Sequence, residues 1–381
     1  MRRRPATPAE SVALGRMLLA RDRLRARPLM QTLERCGQPT LKDLRRLSGA
    51  PLVDLLLRIS YRLRFEDPEA MVTFAGAACK AAELISTRRY GREVLSDLRG
   101  RAWVELANAY RAAGRFQDAG PAFSRSRGLL GKGSGCPALL ARFGELLGTY
   151  LADLRKLSDA EEYLEAAADL YAELGLQQES HRARLGLAHI LIQAYEPERA
   201  AVNYLRVLGV LDGGSPYRLT AIHGLTLSLV EAGHAAVADQ LLRSNKRLYQ
   251  RSGRLNKIRL FWLEGKVAKG LGRYGEADGK LNTARLAFAR ANQIYDSALV
   301  SLDLAWIYAR QGRHQETIWL VESMIETFRG LGIAREALAS LLLLKKSCEQ
   351  RKSAENLTGQ IEGLVRVMAE LSCQPTATRR S

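Results

Sequence analysis

The chain has 381 residues, 47% of them hydrophobic, enough for one extended domain or two compact ones, and no apolar run approaches the roughly eighteen residues of a membrane span. A net charge of +18 leaves room for an acidic partner, but only about a dozen of the 58 basic residues are lysines, a bias expected from GC-rich coding, and the charges are scattered among acids. Any nucleic-acid contact is therefore expected to be weak and non-specific. Five distant cysteines (Cys36, Cys79, Cys136, Cys348 and Cys373), without a C-x-x-C pair, argue against a disulfide or zinc framework and fit a reduced, cytoplasmic setting.

Residues 1–50 form the most basic stretch, with eleven Arg and Lys42 against Glu10, Asp22, Glu34 and Asp43. Charges inside the would-be apolar core of the opening residues make a secretory signal unexpected. Residues 1–8 are expected to be disordered, and 9–26 to form a helix with Val12, Leu14, Met17, Leu18 and Leu24 on its apolar side. The segment 41–63 superficially looks like a DNA-reading helix-turn-helix. Arg45 stands where helix crossing needs a small residue, and 52–63 is Leu-rich where a reader is polar, so 52–63 is read as a buried helix.

Residues 100–126 carry Trp103, Leu106, Ala107 and Tyr110, then Gly114, then Phe116, Ala119 and Phe123. Trp103, Ala107 and Tyr110 share one helix face, and Ala119 and Phe123 restart the period on a second helix, small at the crossing and large one layer on. The pattern W-x-x-L-[small]-x-x-Y, Gly, A-x-x-x-F resembles the tetratricopeptide (TPR) signature. Trp103, packed between the helices of its own repeat and the next, is expected to be intolerant of Ala.

The small position recurs as Ala70, Ala119, Ala160, Ala200, Ala238, Ala277 and Thr317, at steps of 49, 41, 40, 38, 39 and 40 residues. Four residues later come Phe74, Phe123, Leu164, Tyr204, Leu242, Leu281 and Val321. Gly114, Gly233, Gly272 and Gly312 mark the turns inside repeats, and Tyr171/Gly175, Tyr249/Gly253, Phe288/Asn292 and Phe328/Gly332 the left-handed caps that close second helices. The expected fold is an all-α, right-handed superhelical TPR-like α-solenoid of about seven helical hairpins with a C-terminal capping helix. Its parts are a basic helical segment at 1–50, the repeats at 51–345, the cap at 346–372 and a disordered tail at 373–381.

No phosphate loop, H-E-x-x-H, nucleophile elbow or paired-carboxylate context is present, and G131-K-G-S-G135 reads as a linker. His181, His189, His223, His234 and His314 fall in different repeats. No enzyme activity, cofactor or metal is expected. In TPR proteins the first helix of each repeat lines the concave side. The resemblance thus places Arg101, Asn108, Arg111 and Arg142, with His189, His223, Trp262, Lys266 and Trp306, in a groove for an acidic or carboxylate-bearing peptide. Asn108 matches an Asn of carboxylate-clamping TPR domains, but Val104 stands where the paired basic residue belongs. The arginines are read as exposed charges, replaceable without loss of the fold, and Trp262 and Trp306 as either groove anchors or core wedges. The function expected is a non-catalytic protein-interaction scaffold. The alternative is a sensor or regulator linked to transcription or signalling, whose basic N-terminal region contacts DNA or a transcription factor.

Overall fold

The computed structural model describes residues 7–35, 47–64, 67–154, 156–291, 293–330, 341, 344–345, 348 and 352–371. Among these residues every regular element is a helix: α1 (Pro8–Arg35), α2 (Ala50–Leu63), α3 (Pro68–Glu83), the single-turn α4 (Thr87–Tyr90), α5 (Arg92–Ala112), α6 (Phe116–Leu130), α7 (Pro137–Asp153), α8 (Leu157–Glu173), α9 (Gln177–Gln193), α10 (Pro197–Leu208), α11 (Arg218–Glu231), α12 (Ala235–Gln250), α13 (Arg254–Gly270), α14 (Tyr274–Arg290), α15 (Ile294–Arg310), α16 (His314–Gly330) and α17 (Ala354–Leu371). From α2 to α16, leaving α4 aside, they alternate along the chain as seven A/B pairs. The chain divides into two units, one of residues 1–150 and 162–180, the other of 151–161 and 181–381. Each is described by itself.

The expected small-then-large pattern is the core of six of the seven B helices. Ala119, Ala160, Ala200, Ala238, Ala277 and Thr317 are each the fourth residue of their helix, and all are fully buried. The large residues four positions on, from Phe123 to Val321, are buried as well. In the first pair the pattern slips by one. Ala70 and Phe74 are only half-buried, while Met71 and Ala75, the fourth and eighth residues of α3, are the buried pair. Their sizes are swapped, which a search for Ala followed by Phe cannot see. Asp67 sets the start of α3 by accepting the Ala70 N–H at 2.9 Å, ahead of Pro68 in the first turn.

The turns inside the pairs are chemically uniform. Gly114, Gly233, Gly272 and Gly312 all lie in the left-handed region, with φ between 70° and 80°. The residue after each glycine donates its N–H to the carbonyl five residues back, as Arg115 does to Tyr110 at 2.8 Å and Arg313 to Tyr308 at 2.8 Å, which closes a Schellman motif. Between α9 and α10 the same place is taken by Tyr195, at φ 60° and with the same Glu196 to Leu191 bond at 2.9 Å. Gly175 also adopts the left-handed cap expected of it. Gly253 does not: at φ −60° and ψ 166° it is extended and serves as the N-cap of α13. Asn292 and Gly332 lie outside the described residues.

Three further expectations need correction. The first helix runs to Arg35, and Leu14, Met17 and Leu24 are exposed. The helix packs through Val12 and Leu18, as expected, and also through Gly15, where a Cβ would sit 1.9 Å from the Tyr90 carbonyl oxygen, and through Met30. Trp103 is half-buried, its outer face covered by the Arg125 guanidinium 4.3 Å from the ring centroid, so its truncation should cost less than the ~3–5 kcal/mol of a fully buried tryptophan. The expected burial of α2 holds, with Val53 and Leu55 fully buried. At the C-terminal end α17 buries Leu357, Ile361 and Leu364 and packs on α15. The tail at 373–381 and residues 1–6 lie outside the described residues. Among the described residues, no helix is long and apolar enough to cross a membrane.

Glycine at a crossing can be told from glycine on a surface. A Cβ on Gly224 would fall 2.1 Å from Cζ of the buried Tyr204 ring, whereas Gly279 has nothing within 4 Å. Gly224→Ala is expected to lower urea stability by about 1–3 kcal/mol through overpacking. Gly279→Ala should instead raise it by about 0.5–1 kcal/mol, since a mid-helix glycine loses more backbone entropy than alanine.

Candidate functional site

In the first unit the expected groove residues are already engaged by the protein itself. Arg101 on α5 donates Nη1–H to Asp54 of α2, which also receives Nε–H and Nη2–H of Arg23 on α1 at 2.7 and 3.1 Å. Asp54 is buried, so its charge is answered from two helices at once. Asn108 is buried too, and its Oδ1 accepts Nε–H of Arg111 at 3.1 Å. Arg142 makes a fork with both oxygens of Glu105 at 2.8 and 3.1 Å and reaches Glu145 at 3.1 Å, while Tyr171 donates its hydroxyl to the same Glu145 oxygen at 3.0 Å. Burial opposes the charge on Arg142, but the two carboxylates outweigh it and hold the guanidinium well above its ordinary range. These arginines are therefore not the freely replaceable surface charges the sequence led one to expect. At 16% side-chain exposure, Arg142 reversed to Glu would leave two carboxylates facing a third.

In the second unit two of the expected residues, Trp262 and Lys266, converge on an acid that sequence reasoning missed. Asp303, buried on α15, accepts Nζ–H of Lys269 at 2.8 Å on one oxygen and the indole N–H of Trp262 at 2.9 Å on the other, with Lys266 Nζ at 3.4 Å. Lys266, 13% exposed, also donates to Glu231 of α11 at 2.9 Å. Desolvation would raise the Asp303 pKa, but the two lysines and the indole N–H drive it far below the usual carboxylate range. Glu231, about half exposed, is held low chiefly by Lys266. The signal for Asp303 was a lone acid inside the apolar run SLDLAWIYA.

The two tryptophans play different parts. Trp262 is half-buried, edge-on to the buried Phe288 with centroids 6.1 Å apart, and its N–H is spent on Asp303. It is a wedge between helices. Trp306, also half-buried, donates its N–H to Glu362 at 3.1 Å, lies 6.1 Å from the Tyr274 ring and has the Lys269 ammonium 4.9 Å from its centroid. Trp306, Tyr274, Lys266, Lys269, Glu231 and Val230 line a pocket of about 370 Å³. That pocket joins an aromatic wall to a fixed pattern of charge.

The histidines form a separate patch. His189 is exposed, its Nε2 3.2 Å from Gln193. His223 is half-buried, its Nδ1 has no hydrogen-bond partner among the described residues, and its ring lies 6.4 Å from that of Tyr249, whose buried hydroxyl has none among them either. Desolvation first, then the nearby charges of Arg259 and His189, push the His223 pKa down to about 4. Among the described residues no group of three or more His, Cys, Asp or Glu could hold a metal ion.

No protein-family model and no curated protein matches the sequence. Solved structures do match. A Rap protein complexed with competence and sporulation factor is similar with a TM-score of 0.62 at 14% identity, over 85% of this chain and 95% of that one. The apo form of RapI is similar with a TM-score of 0.58 at 12% identity, over 84% and 86%. With seven A/B pairs, a buried small residue fourth in six of the B helices and glycine turns between helices, the likeness decides the architecture. The fold is a TPR-like α-solenoid. A TPR-like array gives each A helix one face committed to packing and another free for display; the Asp303 network lies on A helices α11, α13 and α15, and Tyr274 at the start of α14 completes the Trp306 pocket.

Two measurements check this electrostatic picture. Asp303→Ala leaves Lys266, Lys269 and the Trp262 N–H without their shared acceptor and is expected to destabilise by about 3 kcal/mol in urea melts. For His223, a folded pKa below the ordinary ~6.5 means that the unfolded chain takes up the proton first as pH falls. Its contribution is complete above about pH 6.5 and is lost as pH drops toward about 4, worth at most about 3 kcal/mol. His223→Leu should therefore flatten the stability profile between those limits.

Proposed function

We propose that this protein is a non-catalytic interaction scaffold that captures a peptide or partner protein on the A-helix face of its second unit, centred on the Trp306 pocket. One observation carries the reading: a half-buried aromatic wall, Trp306 and Tyr274, stands beside two lysines whose positions are set by Asp303. Aromatic anchors in partly desolvated pockets supply most of the binding energy at protein interfaces. Lysines fixed before binding lose little entropy when a ligand carboxylate arrives. The similar Rap structure, complexed with competence and sporulation factor, is consistent with this use of the fold.

The acidic character proposed for the partner narrows accordingly. Lys266 already faces Glu231 and Asp303, so Lys269, over the Trp306 ring, is the cation best placed to meet an incoming carboxylate. The partner segment we propose pairs an apolar side chain with an acid or chain terminus a few residues away. The sensor reading has less to stand on, since Arg16 and Arg23 of α1 are engaged by Ser134 and Asp54 within their own unit.

A displayed peptide library, selected on the full chain, tests the proposal. Peptides enriched on the wild type should lose at least about tenfold in affinity with Trp306→Ala and with Lys269→Glu, while Arg243→Glu, on the exposed side of α12, should leave affinity unchanged. Enriched peptides indifferent to Trp306 and Lys269 would move the site elsewhere.

A further inference from the structure

We propose that the first unit carries a second site, independent of the peptide surface: a pocket for a small anionic molecule bearing phosphate or carboxylate groups. The pocket has a volume of about 670 Å³ and lies among α1, α2 and α5. Arg23 and Arg27 of α1, Arg58 of α2 and Arg101 of α5 line it, and Asp54 is the one carboxylate among the lining residues. Leaving Arg58 aside, three guanidiniums against one carboxylate still give a formal charge of two positive.

Structural pairing accounts for only part of that charge. Neutralising a buried Asp54 needs a single cation, yet Arg23 grips both of its oxygens and Arg101 adds a third contact. After these bonds Arg23 keeps three N–H groups and Arg101 four, since each guanidinium has five donors. Asp54 thus acts as an internal template that fixes two forks in place before any ligand arrives, the arrangement in which arginine reads carboxylate and phosphate in pairs of parallel bonds. Arg27 is exposed and has no ion-pair partner among the described residues. Gathering like charges in one concavity raises the local potential and favours an anion over water.

Size and lining select the class of ligand. The volume falls in the range of small-molecule sites, about 300–1,000 Å³. Leu24 and Met30 supply an apolar wall on the α1 side, room for a compact organic body beside the anionic group. A nucleic-acid track would instead need a continuous basic stripe. The basic run of α1 is interrupted by Asp22, which pairs with Arg89 at 2.9 Å.

The test is isothermal titration of the full chain with pyrophosphate, with citrate and with a single-stranded DNA oligomer at fixed ionic strength. Saturable binding of pyrophosphate or of citrate, or of both, is expected, and whichever binds identifies the group read. Arg27→Gln, at an exposed position that should not disturb folding, is expected to weaken binding about tenfold or more, and Arg27→Lys by less. Arg25→Gln, two residues from Arg27 and so turned to the other side of α1, outside the lining, should leave it unchanged. Lys269→Glu should also leave it unchanged, which separates failure of this site from failure of the peptide surface. No saturable binding up to about 1 mM would overturn the proposal. So would equal losses in Arg25→Gln and Arg27→Gln, the signature of diffuse charge, or binding of the oligomer alone.

Discussion

The closeness of helix approach is the constraint on which everything else in this protein depends. A residue with no more than a methyl group, or the compact Thr317, stands at the fourth position of six B helices and is fully buried each time. Ridges of one helix can enter the grooves of the next only where a side chain is short enough to let the backbones near. Gly224 beneath Tyr204 and Gly265 beneath Leu281 show the same rule from the A-helix side, where even a Cβ would collide. Once the approach is set, the large residue one turn later has a fixed hole to fill. The spacing of the array follows from the turn that must return the chain to that hole.

Close packing has an electrostatic consequence. A helix face pressed against its neighbour offers little water, so a charge placed there must be answered by protein. Asp54 and Asp303 are the two clearest cases, each buried and each shared by two cations from other helices. Removing either carboxylate would strand charges in a region of low dielectric, whereas removing one of several cations leaves the rest to compensate. The same arrangement organises the surfaces next to it. Lys269 can stand over Trp306 because Asp303 holds its ammonium, and Arg23 and Arg101 present their spare donors side by side because Asp54 holds the others.

Much of the architecture was legible because it is repetitive. A small residue recurring near every fortieth position and glycine five residues ahead of it are two signals of independent physical origin, packing and backbone geometry, and both survive in the structure. Reading failed where one signal stood without the other. Met71 and Ala75 carry the first B helix with sizes reversed, Gly253 kept the spacing of a left-handed cap but caps the next helix from an extended conformation, and Trp103 matched its motif while lying half exposed under Arg125. The candidate site was the least legible part. Residue type marked Lys266, Trp262 and Trp306 as groove candidates, but only the fold reveals that Asp303 engages the first two and Glu362 the third. Arg101 and Arg142 looked like surface charges because a sequence does not say which acids lie across a helix crossing.

Tyr195 makes one turn of the array unlike the others. Four sibling turns use glycine where this one holds a tyrosine in the left-handed region, with its ring 48% exposed and the Arg366 guanidinium 5.4 Å from its centroid. A side chain there costs on the order of 1–2 kcal/mol that glycine would not. In a chain of nearest-neighbour units, such a cost is not shared out but sits at one link. The α9–α10 turn is therefore expected to open before the glycine turns when heat or denaturant loosens the stack, with faster amide exchange there.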